Sequence, residues 1–175
     1  SPRRQTDFLS PSILMPDQDA LPFTSPDKDR YFEDYVAGTS HVLGTVTVDE
    51  TEMVEFAKKY DAQKIHTDRA FADKGPFAGL IASGWLTAGL MMSLYSTRYL
   101  SDVSALASPG MDSLKWPAPV RAGDELTVTA NIVEARLSKS KPGIGIVRTD
   151  TEVRNQEGVT VMTMQGANLI SCRPD

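Results

Sequence analysis

The segment Trp85-Leu86-Thr87-Ala88-Gly89-Leu90-Met91-Met92-Ser93-Leu94-Tyr95 limits the possible folds of this chain more than any other. Its residues Trp85, Leu86, Ala88, Leu90, Met91, Met92, Leu94 and Tyr95 leave a helix almost no polar face. Such a helix is buried in a protein core or in a bilayer. The apolar stretch runs from about Ile81 to Leu94 and holds Ser83, Gly84, Thr87, Gly89 and Ser93. That is short of the roughly 20 residues needed to span a membrane. The expectation is a globular fold whose other elements wrap this helix.

Strands are the natural wrapping. Val42, Gly44, Val46 and Val48 alternate with His41, Leu43, Thr45 and Thr47, which predicts a strand with His41 solvated. Asp49 precedes Glu52 in a capping-box-like start, and Met53, Phe56, Ala57 and Tyr60 follow at helical spacing. The pattern breaks from Asp61 to His66. Thr67 can cap a short turn through Phe71, ended by Gly75-Pro76. Beyond the apolar helix come a short strand over Ser113–Trp116 and longer ones over Glu125–Ala135, Ile144–Val153 and Val159–Ile170. Lys139 to Gly143 and Asn155 to Gly158 read as hairpin turns. The predicted class is α+β, a curved antiparallel sheet wrapped around one long buried helix.

The 175 residues favour one domain, and 41% hydrophobic with 23% charged residues is ordinary for a globular chain. Residues 1–30 hold five of the 11 prolines, so they read as a Pro-rich arm preceding a single domain over 31–175. A net charge of -5 argues against nucleic acid or anionic lipid as partners. One cysteine, Cys172, and two histidines leave neither an intrachain disulfide nor a Cys/His zinc site, so no metal is expected. These features suit a reducing, cytoplasmic setting.

Two places can carry chemistry. Asp61 and His66 are five apart, about 140° around a helix and on opposite faces of a strand, so only an irregular link lets them converge. A carboxylate and an imidazole facing one water form a workable acid/base pair, since imidazole ordinarily titrates at about pH 6.5. The spacing fits equally a helix-ending Asp and a surface His. The second place is Gly79-Leu80-Ile81-Ala82-Ser83-Gly84-Trp85. Ser83 can cap the apolar helix, leaving Gly84 in its first turn with a bare N–H, a natural oxyanion donor. The same residues fit a simple cap with a glycine for close packing. Position 81 is Ile, so the Gly-x-Ser-x-Gly nucleophile elbow is absent.

These motifs resemble those of the MaoC-like dehydratases, a family that includes (R)-specific enoyl-CoA hydratases. Asp61-Ala62-Gln63-Lys64-Ile65-His66-Thr67-Asp68 is similar to the family's Asp-x-Asn-Pro-x-His followed by an acidic residue. Gly79-Leu80-Ile81-Ala82-Ser83-Gly84 matches its Gly-x-Ile-Ala-His/Ser-Gly, and Pro119-Val120-Arg121-Ala122-Gly123-Asp124-Glu125-Leu126 its Pro-Val-x-x-Gly-Asp-x-Leu. The resemblance implies the hot-dog fold and reversible hydration of a trans-2-enoyl thioester, with no cofactor. Asp61 and His66 would activate water, the Gly84 N–H would hold the thioester oxygen, and Ser83 would support the site. Gln63, Ile81, Ala82 and Trp85 are the expected substrate-facing residues. Gln63 and Lys64 stand where the family has Asn and Pro, which implies a differently oriented water and a looser loop. The resemblance further implies pairing of two sheets, hence a homodimer or a multiple of it. A hot-dog thioesterase would need a carboxylate on the central helix, and none lies between Gly84 and Tyr95. A non-catalytic acyl-thioester binder is the remaining alternative.

Overall fold

The computed structural model describes Phe23 and residues 26–175. Its elements in chain order are β1 (Ser40–Thr47), α1 (Glu50–Tyr60), α2 (Lys64–Thr67), α3 (Arg69–Asp73), α4 (Gly84–Leu94), β2 (Ala105–Lys115), β3 (Glu125–Leu137), β4 (Ile144–Arg154) and β5 (Thr160–Ser171). The strands form one sheet in the order β1-β3-β4-β5-β2, every pair antiparallel. This is the expected α+β architecture, with α4 against the concave side.

Period-2 patterning explains the sheet. Along β3, Leu126, Val128, Ala130 and Ile132 are buried and alternate with half-buried polar neighbours. Val147 and Val153 of β4, and Val161, Met164 and Ile170 of β5, join the same core. Leu86, Met91 and Leu94 of α4 pack onto it, each contributing roughly 1.5–3 kcal/mol of transfer free energy. The helix continues into a π-helical turn, Tyr95–Tyr99, whose Arg98 donates Nη1–H to Leu43 O at 3.0 Å. The Arg98 guanidinium fills the space where a Cβ at Gly44 would project. Gly44, at φ +135, follows the register shift of β1 at Leu43. That contact fixes the far end of α4 against β1.

Four expectations need correction. First, α4 is not enclosed on all sides: Trp85 is 55% and Met92 41% exposed, and both lie on one face with Gly89. Second, β2 starts at Ala105, eight residues before the expected strand. Its first eight residues are all exposed, so no inside/outside alternation marks them. Third, His41 is buried, not solvated. Its ring stacks on Phe23 at 3.8 Å and its Nε2 meets Thr39 Oγ1 at 2.9 Å. Fourth, Phe23 and Arg30, both placed in the arm by composition, pack into the domain. Arg30 is 1% exposed, donates to the Arg98 and Tyr99 carbonyls, and lies over the Phe23 ring. Carbonyls at a helix C-terminal end suit a cation, which is why an arginine can be buried there. The first 22 residues lie outside the described ones. No helix among the described residues is long and apolar enough to cross a membrane.

Candidate active site

The segment between Asp61 and His66 is not loop throughout. Asp61 ends α1 with φ -154 and ψ 69, outside helical geometry, and the chain turns sharply there. Gln63 then starts α2, which carries His66 on its buried side. Two short helices meeting at a sharp turn thus solve the convergence that neither a helix nor a strand allows. Asp68, rather than Thr67, caps the next helix, its carboxylate accepting from Phe71 N at 3.1 Å.

His66 Nδ1 lies 2.8 Å from Ile81 O. A carbonyl can only accept, so Nδ1 carries the proton. Nε2 is left facing Asp61 Oδ2 at 3.3 Å. With the imidazole neutral, that is one acceptor opposite another, and a donor such as a water bridging the two atoms from one side satisfies the pair.

Asp61 is held from both sides. Gln63 Nε2 donates to Oδ1 at 2.7 Å, and Ser83 Oγ donates to Oδ2 at 2.7 Å. These two hydrogen bonds, Gln63's first, hold the Asp61 carboxyl below the usual carboxylate range, against the opposing effect of desolvation. Ser83 is fully buried and its Oγ also accepts from Trp85 N at 3.3 Å, so one hydroxyl both caps α4 and bonds the carboxylate. The N-terminal end of α4, with its partial positive charge, therefore opens beside the pair. Ala82 N donates to Val120 O at 2.8 Å, which ties this stretch to the segment ahead of β3.

A cavity of about 120 Å³ lies here, lined by His66, Ile81, Ala82, Gly84, Thr87, Trp116, Ala118 and Val120. Asp61, His66, Ser83 and Gly84 are thus brought together, and Ile81 and Ala82 line the same cavity. Gln63 is exposed and bonds Asp61, while Trp85 stands outside the lining, edge-on to Trp116 at 5.2 Å. Two contributors escaped the sequence reading: the Ile81 carbonyl and the Trp116 ring. A backbone carbonyl leaves no mark in a sequence, and no spacing links position 116 to position 84. Among the described residues, no group of three or more His, Cys, Asp or Glu is placed to hold a metal ion.

The family model for the MaoC like domain matches residues 36–155. An (R)-specific enoyl-CoA hydratase of Rhodospirillum rubrum is 35% identical over 108 residues, covering 59% of this chain and 69% of that protein. The crystal structure of a MaoC-like dehydratase from Rhodospirillum rubrum superposes with a TM-score of 0.77 at 32% identity, covering 84% of this chain and all of that one. A Mycobacterium tuberculosis protein described as a double hot-dog fold gives a TM-score of 0.69 at 17% identity, covering 83% of this chain and 45% of that one. The sheet wrapped around α4 is accordingly a hot-dog fold, and the chain belongs to the MaoC-like domain family.

Proposed function

We propose that this chain hydrates a trans-2-enoyl thioester of coenzyme A to the (R)-3-hydroxyacyl thioester, and catalyses the reverse dehydration. The observation that carries this reading is the pairing of His66 Nε2 with Asp61 Oδ2 at 3.3 Å, with Nδ1 fixed by Ile81 O. A water donating one hydrogen to each acceptor presents its oxygen lone pairs to C3. His66 Nε2 takes one proton as that oxygen bonds to C3, and the C2=C3 π electrons move toward the thioester carbonyl. The Gly84 N–H, in the first turn of α4 where backbone donors have no intrahelical partner, stabilises the developing enolate oxygen. The imidazolium, faced by the Asp61 carboxylate, returns the proton to C2. The sum is one H and one OH added across the double bond. Gln63 supports this reading, because its amide holds the carboxylate in place as an amide at this position should.

The working unit we propose is a homodimer. Met92, on the exposed face of α4, lines one groove with the edge strand β2, where Leu106 and Met111 are about half exposed. Ala105 to Met111 carries no charge, so no like-charge repulsion opposes a second copy on this apolar surface.

The test is a panel of trans-2-enoyl-CoA substrates, followed by loss of the conjugated enoyl absorbance and by the configuration of the product. Hydration to the (R)-alcohol is expected. No turnover of any chain length, or an (S) product, would overturn the reading.

A further inference from the structure

One polar side chain in the wall of the cavity beside His66 has no partner. Thr87 lies one turn into α4, lines the cavity and is 1% exposed, yet its hydroxyl makes no hydrogen bond to a described residue. The next hydroxyls along the same helix and its π-helical extension behave differently. Ser93 Oγ donates to Leu90 O at 2.6 Å, and Thr97 Oγ1 donates to Ser93 O at 2.7 Å, so both are satisfied by the preceding turn. A buried hydroxyl left unpaired is costly, and a bound group in the cavity is what would supply the missing partner. Gly84 contributes a second unpaired donor. Trp85 N donates to Ser83 Oγ at 3.3 Å, and Leu86 N and Thr87 N donate to Ser83 O at 3.0 and 3.2 Å. Of the first four N–H groups of α4, that of Gly84 alone has no partner among the described residues. It points along the helix axis, whereas the Trp116 ring covers Gly84 in the radial direction that a side chain would take. Gly84 and Thr87 are three apart, so they share a face of α4. A helical side chain leans toward the N-terminus, which brings that of Thr87 back toward Gly84.

We propose that Thr87 is a further catalytic residue, whose hydroxyl donates to the thioester oxygen alongside the Gly84 N–H, so that the enolate charge is held by two donors. The inference rests on the hydratase reading for the nature of the ligand, and its test includes a readout that needs no turnover. Thr87→Val keeps the shape of the side chain and removes the donor, while Thr87→Ser keeps the donor. In hydration of a trans-2-enoyl-CoA, Thr87→Val should lose on the order of 10² in kcat with KM little changed, and Thr87→Ser should keep most of the turnover. Saturated butyryl-CoA cannot be hydrated, so difference infrared spectroscopy of this ligand, isotopically labelled at the thioester carbonyl, reports the hydrogen bond alone. The bound carbonyl should stretch at lower wavenumber in the wild type and Thr87→Ser than in Thr87→Val. Unliganded Thr87→Val should melt no lower than the wild type, because the fold gives that hydroxyl no partner to lose. The same carbonyl stretch in the wild type and a folded Thr87→Val overturns the proposal. So does a Thr87→Val enzyme that keeps more than about a tenth of wild-type kcat, or a clearly lowered Tm, which marks a structural hydrogen bond. Absence of butyryl-CoA binding by the wild type also overturns it. Should Thr87→Ser stand in for a valine variant that does not fold, loss of its turnover or of the low carbonyl stretch counts against the proposal in the same way. A carbonyl stretch that responds to Thr87 as expected, in a wild type that hydrates no enoyl-CoA, supports this inference while removing the hydratase reading.

Discussion

Two apolar-rimmed regions of this domain differ in how completely they are finished. At the corner where α1, α2 and α4 meet, the Asp61 carboxylate and the His66 Nδ1–H each have a hydrogen-bond partner. Gln63 and Ser83 hold Asp61, Ile81 O holds His66, and Ser83 is both cap and donor. At the other end, Met92 and the strand β2 expose apolar side chains beside a groove of about 420 Å³ that also touches Tyr95 and Met164. The contacts of the first region all come from one chain. The second has the composition of an interface core, apolar and free of charge from Ala105 to Met111.

Substitutions can break this contrast at either end. A large effect is expected at Gly84. An Ala there must displace the Trp116 indole, and misplacement by about 1 Å at a reacting centre costs on the order of 10² in rate. Gly84→Ala should cut kcat/KM by about that factor while the dimer mass in light scattering stays unchanged. At the other end, Leu106→Lys with Met111→Lys places like charges on a surface both copies would share. The dimer dissociation constant should rise at least tenfold by analytical ultracentrifugation. A variant that still assembles like the wild type would place the interface elsewhere.

Ser83→Ala probes the finished corner more gently. Loss of the cap and of the bond to Asp61 should cost about 1–2 kcal/mol at neutral pH, read by denaturant unfolding. Part of that loss depends on pH. A carboxylate whose folded pKa is lowered stabilises the fold above its unfolded value of about 3.9, and that contribution disappears as pH falls through the folded value. The gap between wild type and Ser83→Ala should hence narrow below about pH 4 and reach a plateau set by the cap alone. A gap independent of pH would mean that Ser83 acts only as a helix cap.

The sequence revealed elements where side chains alternate against a core and concealed them where they do not. The β3 pattern Leu126, Val128, Ala130, Ile132 is legible because one face is buried. The first eight residues of β2 are exposed throughout, so no period marks them. Arg30 reads as a solvated charge because its partners are backbone carbonyls nearly 70 residues away. The same holds at the site. Asp61, His66 and Ser83 are nameable from residue type and motif, but the turn that makes two of them converge depends on how α1 ends. The ring of Trp116 reaches Gly84 only through the fold.

We propose that Asp61 and His66 act on one water. A double-mutant cycle with Asp61→Asn and His66→Gln, measured as hydration of a short trans-2-enoyl-CoA, tests it most directly. Each single variant should lose on the order of 10² or more in kcat, with saturated acyl-CoA binding retained. The double variant should be little worse than the worse single, because groups that serve one step as a unit are not additive. Losses that multiply, or a single variant that keeps more than about a tenth of wild-type turnover, would contradict a shared water and place its activation elsewhere.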